Sequence, residues 1–334
     1  MLFTLKSFCI ILLFLFIQGA KLFSQVDTGK TKYDTSNVNY TDLSQLFALK
    51  VYTLLKLNSL EISNEDNVLL LRPNSPLSLG VGFNYKGIGL SLGFGLPHSA
   101  ANIEKYGKTS RFDVQASISM KRIGGDAWFQ LYKGYYLANP NDFVDWDKDY
   151  YPQFPDMRTI SFGASAYYIV NHDRFSNKAA YSRTQIQRTS AGSLTPGFFF
   201  NYDETDLGND STVSNLPDSL FSGFDIKSFR YFATGFSIGY TYTWVISEKF
   251  FLNGVIIPGF GYKDIKIKTA AGESEVERKA HAQLLLRAAF GYENKHFYAG
   301  LTASTLIRNI ETDNYNINLA TEQLRLFVGK RFGF

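Results

Sequence analysis

The chain has 334 residues, with 21 Tyr, 30 Phe and 27 Gly against one Cys and three Met, and a formal net charge of +4. That balance, without any Lys/Arg run, leaves no basis for a nucleic-acid partner. A mean hydropathy of −0.12 excludes a bundle of membrane helices, each of which needs about 20 apolar residues.

The first element is the only long apolar run, Phe8–Ile17, preceded by Lys6 and followed by Gly19, Ala20 and Ser24. It is too short to span and nothing stop-transfer follows, so residues 1–24 are expected to be a cleaved export signal, cut after Ala20 or Ser24. Cys9 lies inside this run, so the mature chain is expected to lack thiols, and disulfides, thiolate metal sites and thiol nucleophiles drop out. Residues 25–46 are expected to be an N-terminal periplasmic segment, and residues 47–334 the folded domain.

Beyond Leu46 the hydrophobic pattern has period two. From Arg111 to Met120, Phe112, Val114, Ala116, Ile118 and Met120 share one face, and Arg111, Asp113, Gln115, Ser117 and Ser119 the other. Strands are expected near 48–60, 66–86, 87–97, 109–121, 124–138, 158–171, 190–203, 229–246, 249–267, 279–292, 295–311 and 318–334. The second is open to a break at Pro73 and Pro76. Many exceed the globular mode of about five or six residues and suit a tilted strand crossing a bilayer, which needs about 9–11.

The connections alternate between tight and long. Tight turns are expected at Lys86–Gly87, Lys121–Gly125, Ser247–Lys249 and Glu293–Lys295, and a two-residue turn at the first would pair Tyr85 with Ile88. Longer connections fall at 98–108, 139–157, 204–228 and 268–278, with a shorter one at 312–317. The segment 172–189 breaks the rule. It belongs on the tight-turn side and is far too long, which leaves open a periplasmic excursion, an in-folded plug or a miscounted strand pair.

No amphipathic helix is available to cover the apolar strand faces. Closing the sheet satisfies every backbone hydrogen bond and leaves lipid to cover the outside. The expected fold is all-β: an antiparallel up-and-down transmembrane barrel of about 12 strands, with 10 or 14 as alternatives. Tyr168, Tyr242, Trp244, Tyr262 and Tyr292 lie near strand ends, where interface girdles belong. The inward set reads as small and polar, including Gly80, Gly82, Asn84, Gln115 and Ser237. Arg111, Asp113, Arg287, Arg325 and Arg331 are the lumen-facing candidates. Phe332 and Phe334 resemble the C-terminal signal of outer-membrane barrels.

The stretches LRPNSPLSLGVGFNYKGIGLSLGFGLP (Leu71–Pro97) and TSRFDVQASISMKRIGGDAWFQLYKGYYL (Thr109–Leu137), and more faintly SAGS at Ser190–Ser193, resemble a Bacteroidota outer-membrane barrel family, Domain of Unknown Function 4421. The resemblance covers most of the mature chain. It implies an outer-membrane barrel and brings no catalytic residue with it.

Three constellations invite chemistry. Asp145, Asp147 and Asp149 with Asp156 have the spacing of a calcium loop, but Tyr150 stands where glycine is needed and Asp156 where a bidentate glutamate is needed. The stretch therefore reads as an acidic, aromatic loop. A lipid-acting enzyme would need a serine, a histidine and an orienting group to converge. His98, His172, His281 and His296 each lie in or beside a predicted connection and read as surface histidines, His98–Ser99 included. Glycines in Gly89–Gly95 precede Pro97 rather than a helix, so they read as a lumen-facing stripe and not as a nucleotide loop.

The inward arginines Arg111, Arg287, Arg325 and Arg331 would favour anions in a water-filled lumen, unless inward acids such as Asp113 pair with them. The expected function is a porin-like, transport or envelope-structural role, with no cofactor, no metal and no catalytic residue. The expected partners are outer-membrane lipid, the barrel-assembly machinery and a small solute. The alternatives are an outer-membrane lipid-acting enzyme and a secreted, soluble ligand- or glycan-binding β-protein working through loops 139–157 and 204–228.

Overall fold

Lys86 and Gly87 carry φ angles of 48° and 90°, the pair of left-handed conformations that a two-residue primed hairpin requires. They pair Tyr85 with Ile88 as the sequence predicts. The turn is one of a series in the computed structural model, which describes residues 37–74, 77–208, 224–269, 272 and 274–333. The export-signal segment 1–24, most of the segment 25–46, much of the 204–228 connection and Phe334 lie outside the described residues.

The described strands are β1 (Tyr40–Asp42), β2 (Phe47–Ser63), β3 (Val68–Arg72), β4 (Ser78–Tyr85), β5 (Ile88–Gly95), β6 (Ser110–Ser119), β7 (Ile123–Leu137) and β8 (Gln153–Tyr168). They continue with β9 (Gln185–Gln187), β10 (Ala191–Asp206), β11 (Ser228–Val245), β12 (Phe250–Lys268), β13 (Ser274–Glu293), β14 (Phe297–Glu311) and β15 (Asn316–Phe332). Apart from the two-stranded β1–β9 sheet, all join one antiparallel sheet. β15 pairs with β2 from Phe332↔Phe47 to Asn316↔Ser63, closing it into a 12-stranded barrel. β3 and β4 are successive parts of one strand position interrupted at Pro73. β3 pairs with β2 on one side and with β7 on the other, so β4, β5 and β6 line only the half nearer the tight turns.

The polarity of the wall inverts along the barrel axis. In the half nearer the tight turns, outward residues are apolar: β11 exposes Phe236, Ile238, Tyr240 and Trp244, and β12 exposes Phe250, Leu252, Ile256, Phe260 and Tyr262. Inward positions there include Ser193, Thr241, Thr243 and Asn253, all buried. Toward the long loops the same faces exchange character. Lys266 and Lys268 point out while Ile265 and Ile267 are 0% and 1% exposed. Outward ion pairs ring this end: Lys133–Asp156 (3.0 Å), Arg230–Glu204 (3.4 Å) and Arg278–Asp264 (2.8 Å).

Two expectations change here. The inward set is polar only in the turn-end half; the loop end is filled by an apolar core that includes Leu60, Ile62, Leu137, Phe229, Ile265 and Ile317. The 268–278 connection is also shorter than expected, because β12 runs to Lys268 and β13 starts at Ser274. Both differences have one cause. Beyond the apolar belt these strands keep period two but swap the polar and apolar faces, so the belt's pattern stops while the strand continues.

Candidate functional site

The segment between β8 and β10 is the plug alternative, and it folds into the turn-end mouth. It forms a π-helical turn over Lys178–Ser182 and then β9, which pairs with β1 through Tyr40↔Gln187 and Asp42↔Gln185. Phe175, Ala180, Arg183, Thr184 and Ile186 are all buried. Side chains from the wall hold it: Tyr181 Oη donates to Asn253 Oδ1 (2.8 Å), Asn177 Nδ2 to Tyr167 Oη (2.7 Å), and Arg331 Nε to the Arg183 carbonyl (2.6 Å). Arg183 lies between the rings of Phe251 (4.4 Å) and Phe327 (5.0 Å), a cation–π arrangement strengthened by exclusion of water. Outside the mouth, the Lys121 ammonium, hydrogen-bonded to Asp173, holds that carboxyl below its usual range.

Between plug and apolar core lies a cavity of about 200 Å³. Tyr181 closes it on the plug side, and Phe199 and Leu306 line it toward the core. Its polar lining includes Lys50 from β2, Ser91 from β5, Gln115 from β6, Arg287 from β13, and Gln323 and Arg325 from β15. Period two brings them together, because each occupies an inward position on its own strand.

All five lumen-facing candidates do face inward, but they form no continuous basic strip. Arg287 pairs with Asp126 at 2.9 Å and Arg331 with Glu293 at 3.0 Å. Asp113 pairs with Lys56 rather than with an arginine. Arg111 donates to Ser78 Oγ at 2.7 Å and lies over Gly95. Arg325 donates to neutral Gln115 (2.8 Å) and stacks on Tyr52 (4.5 Å). The glycine stripe makes room for these groups, since a side chain at Gly80 would collide with the Tyr52 ring and one at Gly82 with Lys50. Phe332 ends β15 opposite Phe47.

Lys50 and Lys56 are lumen cations that the sequence reading missed. Their signal was available: both lie on the even, inward face of β2 with Ala48, Tyr52, Leu54 and Leu60.

His281 is a correction. It is 4% exposed inside the barrel, with Nε2 2.8 Å from Tyr231 Oη, because β13 begins five residues earlier than the sequence pattern indicates and the histidine falls on an inward position. His98 Nε2 lies 3.1 Å from the Asn74 carbonyl, while neighbouring Ser99 caps α1 (Ala100–Tyr106) by accepting from Asn102 N. In the acidic loop, Trp146 donates to the Tyr150 carbonyl and Lys148 covers both rings. Among the described residues no group of three or more His, Cys, Asp or Glu could hold a metal ion.

A family model described as "Domain of unknown function (DUF4421)" matches residues 32–332. The comparison with curated proteins gives no match. Among solved structures, the chain is similar to the translocator domain of the autotransporter NalP from Neisseria meningitidis, at 14% identity, 95% coverage of each chain and a TM-score of 0.44. It is also similar to the outer-membrane OmpT of Vibrio cholerae, at 9% identity, covering 84% of this chain and 98% of that one with a TM-score of 0.30. The third is the P. putida toluene transporter TodX, at 7% identity, covering 86% and 90% with a TM-score of 0.26.

Proposed function

The chain belongs to the DUF4421 family, and from that premise we propose that it is an integral outer-membrane barrel with a sealed lumen and an envelope-structural role. The exposed apolar belt carries this reading. On β12 it runs from Phe250 to Tyr262 and ends at Asp264. At about 3.4 Å per residue and a tilt of about 40°, that length spans roughly 30 Å, close to a bilayer's hydrocarbon core. A water-soluble protein rarely exposes so much contiguous apolar surface. That disfavours the secreted soluble alternative.

In this reading the tight turns and plug face the periplasm, and the charged, apolar-cored end projects outside the cell. Residues 1–24 serve as the export signal, and the aromatic C-terminus engages the barrel-assembly machinery. Plug and core together argue against an open pore, and the protein acts without catalysis or cofactor. Export from cells tests the placement. The protein should stay with the outer-membrane fraction through an alkaline carbonate wash; recovery in the soluble periplasm would refute it.

A further inference from the structure

Lys50 is 8% exposed and lines the cavity, and its ammonium makes no hydrogen bond or ion pair among the described residues. Its Nζ lies 5.9 Å from the centre of the Phe327 ring. The charged groups that act on it most strongly are both cations, Arg325 and Arg183. Arg325 makes no ion pair among the described residues either, since the acid whose charge acts on it, Asp113, is held by Lys56, and its Nε is buried without a hydrogen bond. The acid facing the same cavity, Asp126, is taken by Arg287.

Burying an ammonium without a counter-charge is strongly unfavourable, and the usual escape is loss of the proton. A guanidinium does not have that escape. Arg325 therefore fixes a positive charge on the cavity wall whatever Lys50 does. Gln323 and Ser91 line the same space and add amide and hydroxyl hydrogens, whereas the Gln115 amide already donates to Asp113 and Gln323. A water needs only about 10–15 Å³ of such volume, so the cavity of about 200 Å³ has room for a small polyatomic anion.

We propose that this cavity is an occluded binding site for a small oxyanion, a carboxylate, sulfate or phosphate group held between Lys50 and Arg325. The inference concerns the barrel interior and stands whether or not the membrane placement above is right.

The test uses residues 25–334 refolded into detergent, so that the site equilibrates with solute before it closes. Thermal unfolding is followed at constant ionic strength as chloride is replaced by sulfate, inorganic phosphate or succinate. A ligand that binds only the folded state raises the midpoint saturably. Such a rise is expected with at least one of the three, and the responsive anion identifies the ligand class. The half-saturating concentration should increase at least tenfold in Lys50→Gln and in Arg325→Gln. It should be unchanged in Lys86→Gln, which removes an exposed turn cation, and Lys50→Arg should keep the response, so the pair stays informative if one glutamine variant fails to fold. An equal response in the wild type and the glutamine variants would mean a general salt effect and overturn the proposal. So would no response to any of the three.

Discussion

The Arg331 guanidinium, on the last strand, donates through Nε to the carbonyl of Arg183 in the plug at 2.6 Å, and through Nη2 to Glu293 at 3.0 Å. One buried side chain thus fastens plug, β13 and β15 together. Its removal would strip Glu293 of its ion-pair partner and release the plug's carbonyl.

Arg331→Met is accordingly expected to cost about 3–5 kcal/mol, as for breaking a buried ion pair from one side. Combining it with Glu293→Gln should recover part of that loss, because the carboxylate that Arg331 would leave unpaired is then gone. Equilibrium urea unfolding in lipid vesicles measures both. Additive losses in the double variant would show that the pair is not coupled.

Membrane depth sets the cost of an outward charge. Phe236, 68% exposed in the apolar belt, should cost about 2–4 kcal/mol when replaced by Arg. Lys266→Glu, beyond the belt, should stay within about 0.5 kcal/mol. The same vesicle titration reads both, and equal costs would move the belt's boundary.

The loop-end core behaves like the interior of a soluble protein. Ile265 is fully buried within it, so Ile265→Ala should cost about 2–5 kcal/mol through lost burial and a residual cavity. A cost below about 1 kcal/mol would mean that this end is hydrated and the lumen opens outward.

Orientation is testable because the chain's one cysteine, Cys9, lies in the segment read as the export signal. Lys268→Cys, at the loop end, should react with a membrane-impermeant maleimide on intact cells. Glu248→Cys, in the β11–β12 turn, should react only after the outer membrane is permeabilised. The reverse pattern would invert the barrel.

Much of the fold was legible in the sequence, and for an identifiable reason. In the apolar belt, residues such as Phe232, Phe236, Ile238 and Tyr240 alternate with Ala233, Ser237 and Gly239, so period two and polarity agree. Past Tyr262 the strand continues but its faces trade character, which shortened the predicted β13 and put His281 at the surface. The plug was visible only as a connection of the wrong length. Its burial comes from partners such as Asn253, Tyr167 and Arg331 on distant strands, which local pattern cannot supply. The inward arginines were legible one at a time, whereas their neutralisation by Asp126 and Glu293 depends on packing across the lumen.

The most direct measurement of the central claim is single-channel current through residues 25–334 in a planar bilayer, with insertion verified by alkali-resistant association with vesicles of the same lipid. A barrel closed by the plug and the apolar core should insert and give no discrete conductance steps. Reproducible steps from the inserted wild-type protein would contradict the sealed lumen, and failure to insert would contradict the membrane span.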